Sequence, residues 1–364
     1  MAESVRHFDV LVIGAGPAGL NAAAAAASHG VRVGLIDAQP RQGGQVWRHD
    51  VAAPPPSQAV EALATVSRRG VEWIAQAQVV QAEPECLRVE TAQGALRLHY
   101  RSLVLATGAR ELLLPFPGWT LPGISGAGGA QALAKQGWPM TGKRAVVAGS
   151  GPLLLAAAVT LKRHGAQLLG IHEQAPSGAV RGFALHLPRW PGKAAQALGM
   201  KLQLAGTPYR NGSVVVAAHG DVRLREVEIE GSRGRERLAC DHPAVGYGVV
   251  PNTELAQLPG CRLDLAGAHP AVAADAELRT SVERIFAAGE ALGIGGLDCA
   301  RVEGAIAGHL AAGQPGPARA LRGKRRRARA FAGLLARSFR LDPRVRGLAD
   351  VETVVCRCGG VTLP

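Results

Sequence analysis

Glycines at 14, 16 and 19 followed by a carboxylate at 37 have the types and spacing to hold a dinucleotide. In the run Gly14-Ala15-Gly16-Pro17-Ala18-Gly19, Gly14 permits a tight turn. Gly16 lets the backbone come against a pyrophosphate, and Gly19 lets a helix pack close to its strand. Unpaired N–H groups at the start of that helix would face the phosphate charge. Asp37 closes the next apolar run, where its carboxylate can accept both hydroxyls of an adenosine ribose. A second set is Gly149-Ser150-Gly151-Pro152-Leu153-Leu154 with Glu173, in which Leu154 replaces the third glycine and makes nucleotide binding less secure. No arginine follows Glu173 directly to take a 2′-phosphate, so a nucleotide at Gly149, Gly151, Pro152 and Glu173 would be NAD rather than NADP. The alternative is a Rossmann-like domain kept for its shape.

Six cysteines, Cys86, Cys240, Cys261, Cys299, Cys356 and Cys358, supply the remaining reactive groups. No C-x-x-C or C-x4-C occurs and Gly43-Gly44-Gln45 carries no thiol, so a disulfide relay beside a flavin is not expected. Cys299 reads as a small buried residue rather than a reactive thiolate.

The elements that must position these groups follow from the hydrophobic pattern. Phe8 to Ile13 reads as a buried strand, Gly14 to Gly19 as a turn, Leu20 to His29 as a helix and Val31 to Asp37 as a second strand. Ala145 to Ala148 and Leu168 to His172 read as strands around the second glycine turn. Val10 to Val31 carries no formal charge and is long enough to span a bilayer, but Gly14, Gly16, Pro17 and Gly19 divide it, so a membrane helix is not expected. It lacks the basic entry and cleavage context of a secretory signal as well. With 364 residues, 47% hydrophobic, the chain can bury two cores without disulfides, and its scattered thiols suit a reducing, cytoplasmic compartment.

The net charge of +13 is unevenly spread. Eleven basic residues and one acid between Arg319 and Arg346 give a local +10, leaving +3 elsewhere. Phe331, Leu335 and Phe339 recur at helical spacing within this stretch, which suggests a solvated basic helix or one docked on a partner subunit or acidic membrane surface. Nucleic-acid binding is not expected from one basic helix without a reading module.

Three further segments, Leu103 to Arg110 with Thr107 and Gly108, Val250 to Leu255, and Ile285 to Glu290 with Gly289, complete an order that resembles the two-dinucleotide-domain flavoprotein reductases. That resemblance implies FAD, with Glu290 on the ribitol where the family usually has Asp. It also implies that Gly44 and Gln45 lie close to the flavin, and that the helix start at Asp298 and Cys299 faces the flavin's pyrimidine edge. Leu114 to Gly123, Gly149 to Leu155, Gly295 to Gly304 and Val355-Cys356-Arg357-Cys358 are similar, more closely, to the FAD-containing α subunits of amine and opine dehydrogenase complexes. That group includes octopine and nopaline oxidases, D-hydroxyproline dehydrogenase and hydrogen cyanide synthase. It implies two partners, a small [2Fe-2S] subunit and a catalytic flavoprotein β subunit. Cys356 and Cys358 resemble the first half of a four-cysteine [2Fe-2S] site, with no second pair before Pro364, so a cluster is expected only if the chain is truncated or a partner completes the site.

The expected fold is α/β, with two Rossmann-like dinucleotide-binding domains, the second (123–251) inserted into the first (1–122 and 252–318), and a basic C-terminal appendage (319–364). The leading functional expectation is an FAD-binding subunit of a heteromeric amino-acid, imino-acid or opine dehydrogenase, placed in the cytoplasm or at the inner membrane face. The alternatives are a self-contained NADH-dependent flavoprotein reductase and a non-catalytic, flavin-stabilised assembly subunit. Catalytic residues are not assigned.

Overall fold

The computed structural model describes residues 4–356 and 358–363. It divides into two compact units. The first comprises residues 1–49, 54–110 and 249–332, and the second 50–53, 111–248 and 333–364.

In the first unit, strand Ser4–Ile13 lies between Val33–Ile36 and Gly94–Leu105, all parallel, with Glu72–Ile74 beyond one side and Ile285–Ala287 also beside Gly94–Leu105. Strand Gly94–Leu105 is long enough to pair at its other end with Cys86–Thr91, which leads to Gln78–Glu83 in an antiparallel meander. The two long strands end in near-continuous apolar runs, Val10–Ile13 and Leu103–Leu105, because both faces are covered there. Val10, Val12, Leu35 and Val104 pack under helices Pro17–Ala27 and Leu297–Ala311, while Leu11, Leu98, Leu103 and Leu105 fill the other side. The first helix begins at Pro17, three residues earlier than its apolar pattern predicts, because the ring presets a helical φ at a position whose N–H needs no intrahelical partner.

The second unit repeats the plan. Parallel strands Tyr209–Asn211, Gln167–Glu173, Arg144–Gly149, His242–Gly246 and Ser125–Gly126 lie in that order, and a three-stranded antiparallel sheet spans Val214–Ala239. Leu154, where a third glycine would complete the fingerprint, is fully buried among Ala127, Val147 and Leu161.

The basic C-terminal stretch is divided between the two units. It forms helix Arg322–Ser338 and then a short helix, Pro343–Arg346, whose Val345 is only 1% exposed in the core of the second unit with Phe116 and Tyr247. Part of the stretch, to Ala332, belongs to the first unit and the rest to the second. A run dominated by arginine reads as solvated, yet single apolar residues and paired guanidinium groups are enough to integrate it. Among the described residues, no helix is long and apolar enough to cross a membrane.

Candidate functional site

Register brings the candidate residues of the first unit together. Ile13 pairs with Ile36 and with Leu105, and Leu105 with Ala287, so four strands end level. The segments that leave them carry Gly14 to Gly19, Asp37, Thr107 with Gly108, and Gly289 with Glu290 along one carboxyl edge. In open α/β sheets that edge is where ligands bind.

Close approaches explain the small residues. Gly14 has φ +98°, and a Cβ there would stand 2.2 Å from the Ala106 carbonyl oxygen. A Cβ on Gly19 would lie 1.7 Å from the Gly14 oxygen. Gly16 faces open space, its nearest neighbour being Gly44 Cα at 3.9 Å from such a Cβ, and Gly43 N–H donates to the Ala15 carbonyl at 2.8 Å, seating that loop over the turn. Pro17 and Ala18 are buried in the first helical turn. Asp37, half-buried, accepts from Ala15 N at 2.6 Å and Gln39 N at 2.8 Å. Gln45 is exposed and accepts from Arg48 at 2.6 Å.

Thr107 and Asn252 clasp each other: Thr107 Oγ1 donates to the Asn252 carbonyl at 2.7 Å, and Asn252 Nδ2 donates to the Thr107 carbonyl at 3.0 Å. Gly108 follows with φ +70°. At Gly289, φ +73°, a Cβ would meet Ala18 Cβ at 2.9 Å. Glu290 Oε1 accepts from Gly296 N at 2.7 Å, whereas its Oε2 is buried without a hydrogen-bond partner. Burial raises this carboxyl above the ordinary range, opposed by the Gly296 and Gly295 N–H groups.

Helix Leu297–Ala311 begins beside this loop with no side-chain cap. Asp298 is exposed in its first turn and Cys299 is 1% exposed. Burial pushes the Cys299 thiol up to about 12, so it stays protonated and is a poor nucleophile.

Sequence reasoning missed two features. Gly304 and Gly308 let this helix lie against helix Pro17–Ala27, since Cβ atoms there would stand 2.0 Å from Ala18 O and 2.1 Å from Ala22 O. Both helix N-termini are thereby held at the same edge. The spacing of glycines four apart was the available signal. The second is Glu303, fully buried, which accepts from Arg325 Nε at 2.9 Å, from Arg329 Nε and Nη2 at 2.7 Å each, and from Gly289 N at 3.2 Å. Two arginines of the basic stretch thus neutralise a buried carboxylate inside the chain. Truncation at Leu321 would strand that charge and disturb Gly289, so the tail cannot be removed without consequence for this edge.

Cys356 and Cys358 place their sulfurs 3.1 Å apart as free thiols, and Arg357 lies outside the described residues. Among the described residues no group of three His, Cys, Asp or Glu side chains could hold a metal. Two thiols do not fit a four-ligand cluster within this chain.

An edge with an open glycine cradle and a buried carboxylate oxygen awaiting a donor fits the pyrophosphate and polyhydroxyl chain of FAD. With two Rossmann-type sheets in one chain, this defines a flavoprotein of the two-dinucleotide-fold class. Residues 8–318 match the pyridine nucleotide-disulphide oxidoreductases, and the chain belongs to that family, as an FAD-dependent oxidoreductase of the group formed by opine oxidase A subunits and hydrogen cyanide synthase HcnB subunits. It is 34% identical to the A subunit of opine oxidase from Rhizobium meliloti, over 98% of this chain and 83% of the relative. With the HcnB subunit of hydrogen cyanide synthase from Pseudomonas protegens it shares 31% identity, over 97% and 82%. The thioredoxin reductase of T. acidophilum has the same fold, with TM-score 0.64 and 21% identity over 85% of this chain and 98% of that one.

Proposed function

We propose that this chain is the FAD-bearing α subunit of a heteromeric dehydrogenase that oxidises an amino acid, imino acid or opine and passes the electrons to an acceptor. The observation that carries this reading is the buried, partnerless Glu290 Oε2 at an edge whose nearby thiol, Cys299, is held protonated. Such an edge suits holding a flavin and does not suit a thiol relay. The relatives similar over the whole chain are themselves named as subunits, of an opine oxidase and of hydrogen cyanide synthase.

In this reading Gly14, Gly16, Pro17, Ala18 and Gly19 hold the pyrophosphate, and Asp37 holds the adenosine ribose. Glu290, next to Gly289, accepts from the ribitol through Oε2. Gly44 and Gln45 cover the turn, and Thr107 and Gly108 line the strand end. The N–H groups around Asp298 and Cys299 at the helix start favour negative charge on a ligand placed against them. FAD, when bound, supplies a two-electron acceptor. The substrate C–H bond is broken at a separate flavoprotein β subunit, and any [2Fe-2S] cluster at Cys356 and Cys358 takes its other ligands from a partner.

The test is to purify the chain alone and together with the products of its neighbouring genes, record the visible spectrum, and add candidate amino acids, opines and NADH. Bleaching by an amino acid or opine in the complex, and not in the isolated chain, is expected. Rapid bleaching of the isolated chain by micromolar NADH would replace this reading with a self-contained reductase. A complex that binds FAD without any turnover would leave an assembly role.

A further inference from the structure

The second glycine turn already has an occupant. A Cβ built on Gly151 would lie 3.5 Å from Cγ of Phe339, whose ring also meets Phe183 edge-on with centroids 5.1 Å apart. The tail is held there through its main chain as well. Ser150 Oγ donates to the Phe339 carbonyl at 3.2 Å, Gln174 Nε2 donates to the Arg340 carbonyl at 3.0 Å, and Asp342 N donates to Gln174 Oε1 at 2.8 Å. Gln174 is 1% exposed and also donates to Ser150 Oγ at 2.9 Å, so one buried amide ties the turn to the tail on both sides.

Asp342 and the four residues after it anchor the segment. Asp342 caps the helix Pro343–Arg346 by accepting from Arg344 N at 2.9 Å, Arg344 pairs with Glu230 at 3.2 Å, and Val345 is inserted in the core. Burying an apolar side chain of that size helps to hold a short peptide that is already tethered.

Comparison with the first unit shows what this costs a nucleotide. There the strand-end carboxylate, Asp37, takes the N–H of Ala15 and stays half open, and nothing stands closer to a Cβ on Gly16 than 3.9 Å. In the second unit Glu173 is fully buried and takes the N–H of Gly151 itself, the counterpart of Gly16, at 2.7 Å, with Ala175 N at 2.9 Å. The backbone donor that would meet a pyrophosphate is used, the carboxylate that would meet a ribose is sealed, and an aromatic ring covers the glycine.

We propose that the segment Phe339–Asp342 is the resident occupant of the second dinucleotide crevice and sets the cofactor specificity of the chain by excluding nicotinamide nucleotides from it. This exclusion does not depend on which partner subunit the chain has, and it gives the tail a role in cis.

The test measures NADH binding to the full-length, FAD-loaded protein by fluorescence titration, with ADP-ribose as a second probe. The variants are Phe339→Ala and the double change Phe339→Ala with Gln174→Leu, checked for unchanged circular dichroism and FAD absorbance. Because the apparent affinity scales with the fraction of molecules whose crevice is open, releasing the tail should tighten NADH and ADP-ribose by at least about tenfold. In parallel, hydrogen exchange on the unmodified chain should show the Asp342 amide protected. Micromolar NADH binding by the unmodified chain, no gain of affinity in a folded double variant, or free-peptide exchange at Asp342 would each overturn the proposal.

Discussion

Replacing Gly304 with alanine tests the contact that aligns the two helices behind the FAD edge. A Cβ at this position would stand 2.0 Å from the Ala18 carbonyl oxygen and 3.0 Å from Ala18 Cα, where ordinary contact begins near 3.4 Å. Helix Leu297–Ala311 would therefore have to retreat by about 1.4 Å, the difference of those distances. The obstructing atom is helical backbone and cannot rotate away as a side chain would. Overpacking of this kind costs about 1–3 kcal/mol, set against about 1 kcal/mol gained because alanine is the better helix former. With a rigid obstacle the cost belongs at the upper end, leaving a net loss of about 2 kcal/mol. The same retreat would displace Ala300 and Gly289, which pack together against Ala18, and with them Glu290. Thermal unfolding followed by circular dichroism, with FAD content measured after gel filtration, reads both effects. Gly199→Ala is the control: it lies within helix Pro191–Gln203 with nothing within 4 Å, so alanine there should stabilise by up to about 1 kcal/mol. A Gly304→Ala protein that melts at or above the unmodified temperature and keeps its FAD would refute the reasoning.

Gly16→Val should abolish FAD retention with little loss of fold, because Gly16 faces open space that the side chain would fill; full yellow absorbance after gel filtration would contradict the assigned cradle. Glu173 gives a pH dependence of definite sign. Burial raises its carboxyl from 4.5 to about 7, so folding favours the protonated form and its contribution is lost as pH rises through that window. The melting temperature of Glu173→Gln relative to the unmodified protein should accordingly climb between pH 4.5 and 7 and then level off; a flat or falling difference would show that Glu173 is not sealed. Iodoacetamide near neutral pH should label Cys356 and Cys358 first, since Cys358 is exposed and a hydrogen bond from the Cys358 thiol lowers Cys356, while burial holds Cys299 protonated. Mass-spectrometric mapping that found Cys299 modified as fast would restore it as a redox candidate.

The order strand, glycine turn and helix between Phe8 and His29, and its counterpart from Arg144 to Leu161, was legible from the residues alone, although the first strand starts earlier, at Ser4, and the first helix at Pro17. A turn that demands positive φ and a buried β-branched run are short-range preferences, decided within a few residues by sterics and burial. Asp37 and Glu173 were likewise recognisable as strand-end carboxylates. Their different fates were not, because whether such a carboxylate faces an open edge or is sealed depends on chain that arrives from far away. Only the tertiary structure set Gly304 against Ala18, put Arg325 and Arg329 on Glu303, and laid Phe339 on Gly151. Each is a long-range pairing selected by shape and by the cost of leaving a buried charge or amide unsatisfied. The arginine-rich stretch gives the plainest case: its composition favours solvent, and its place was decided by one buried glutamate, one buried glutamine and two apolar side chains that had nowhere better to go.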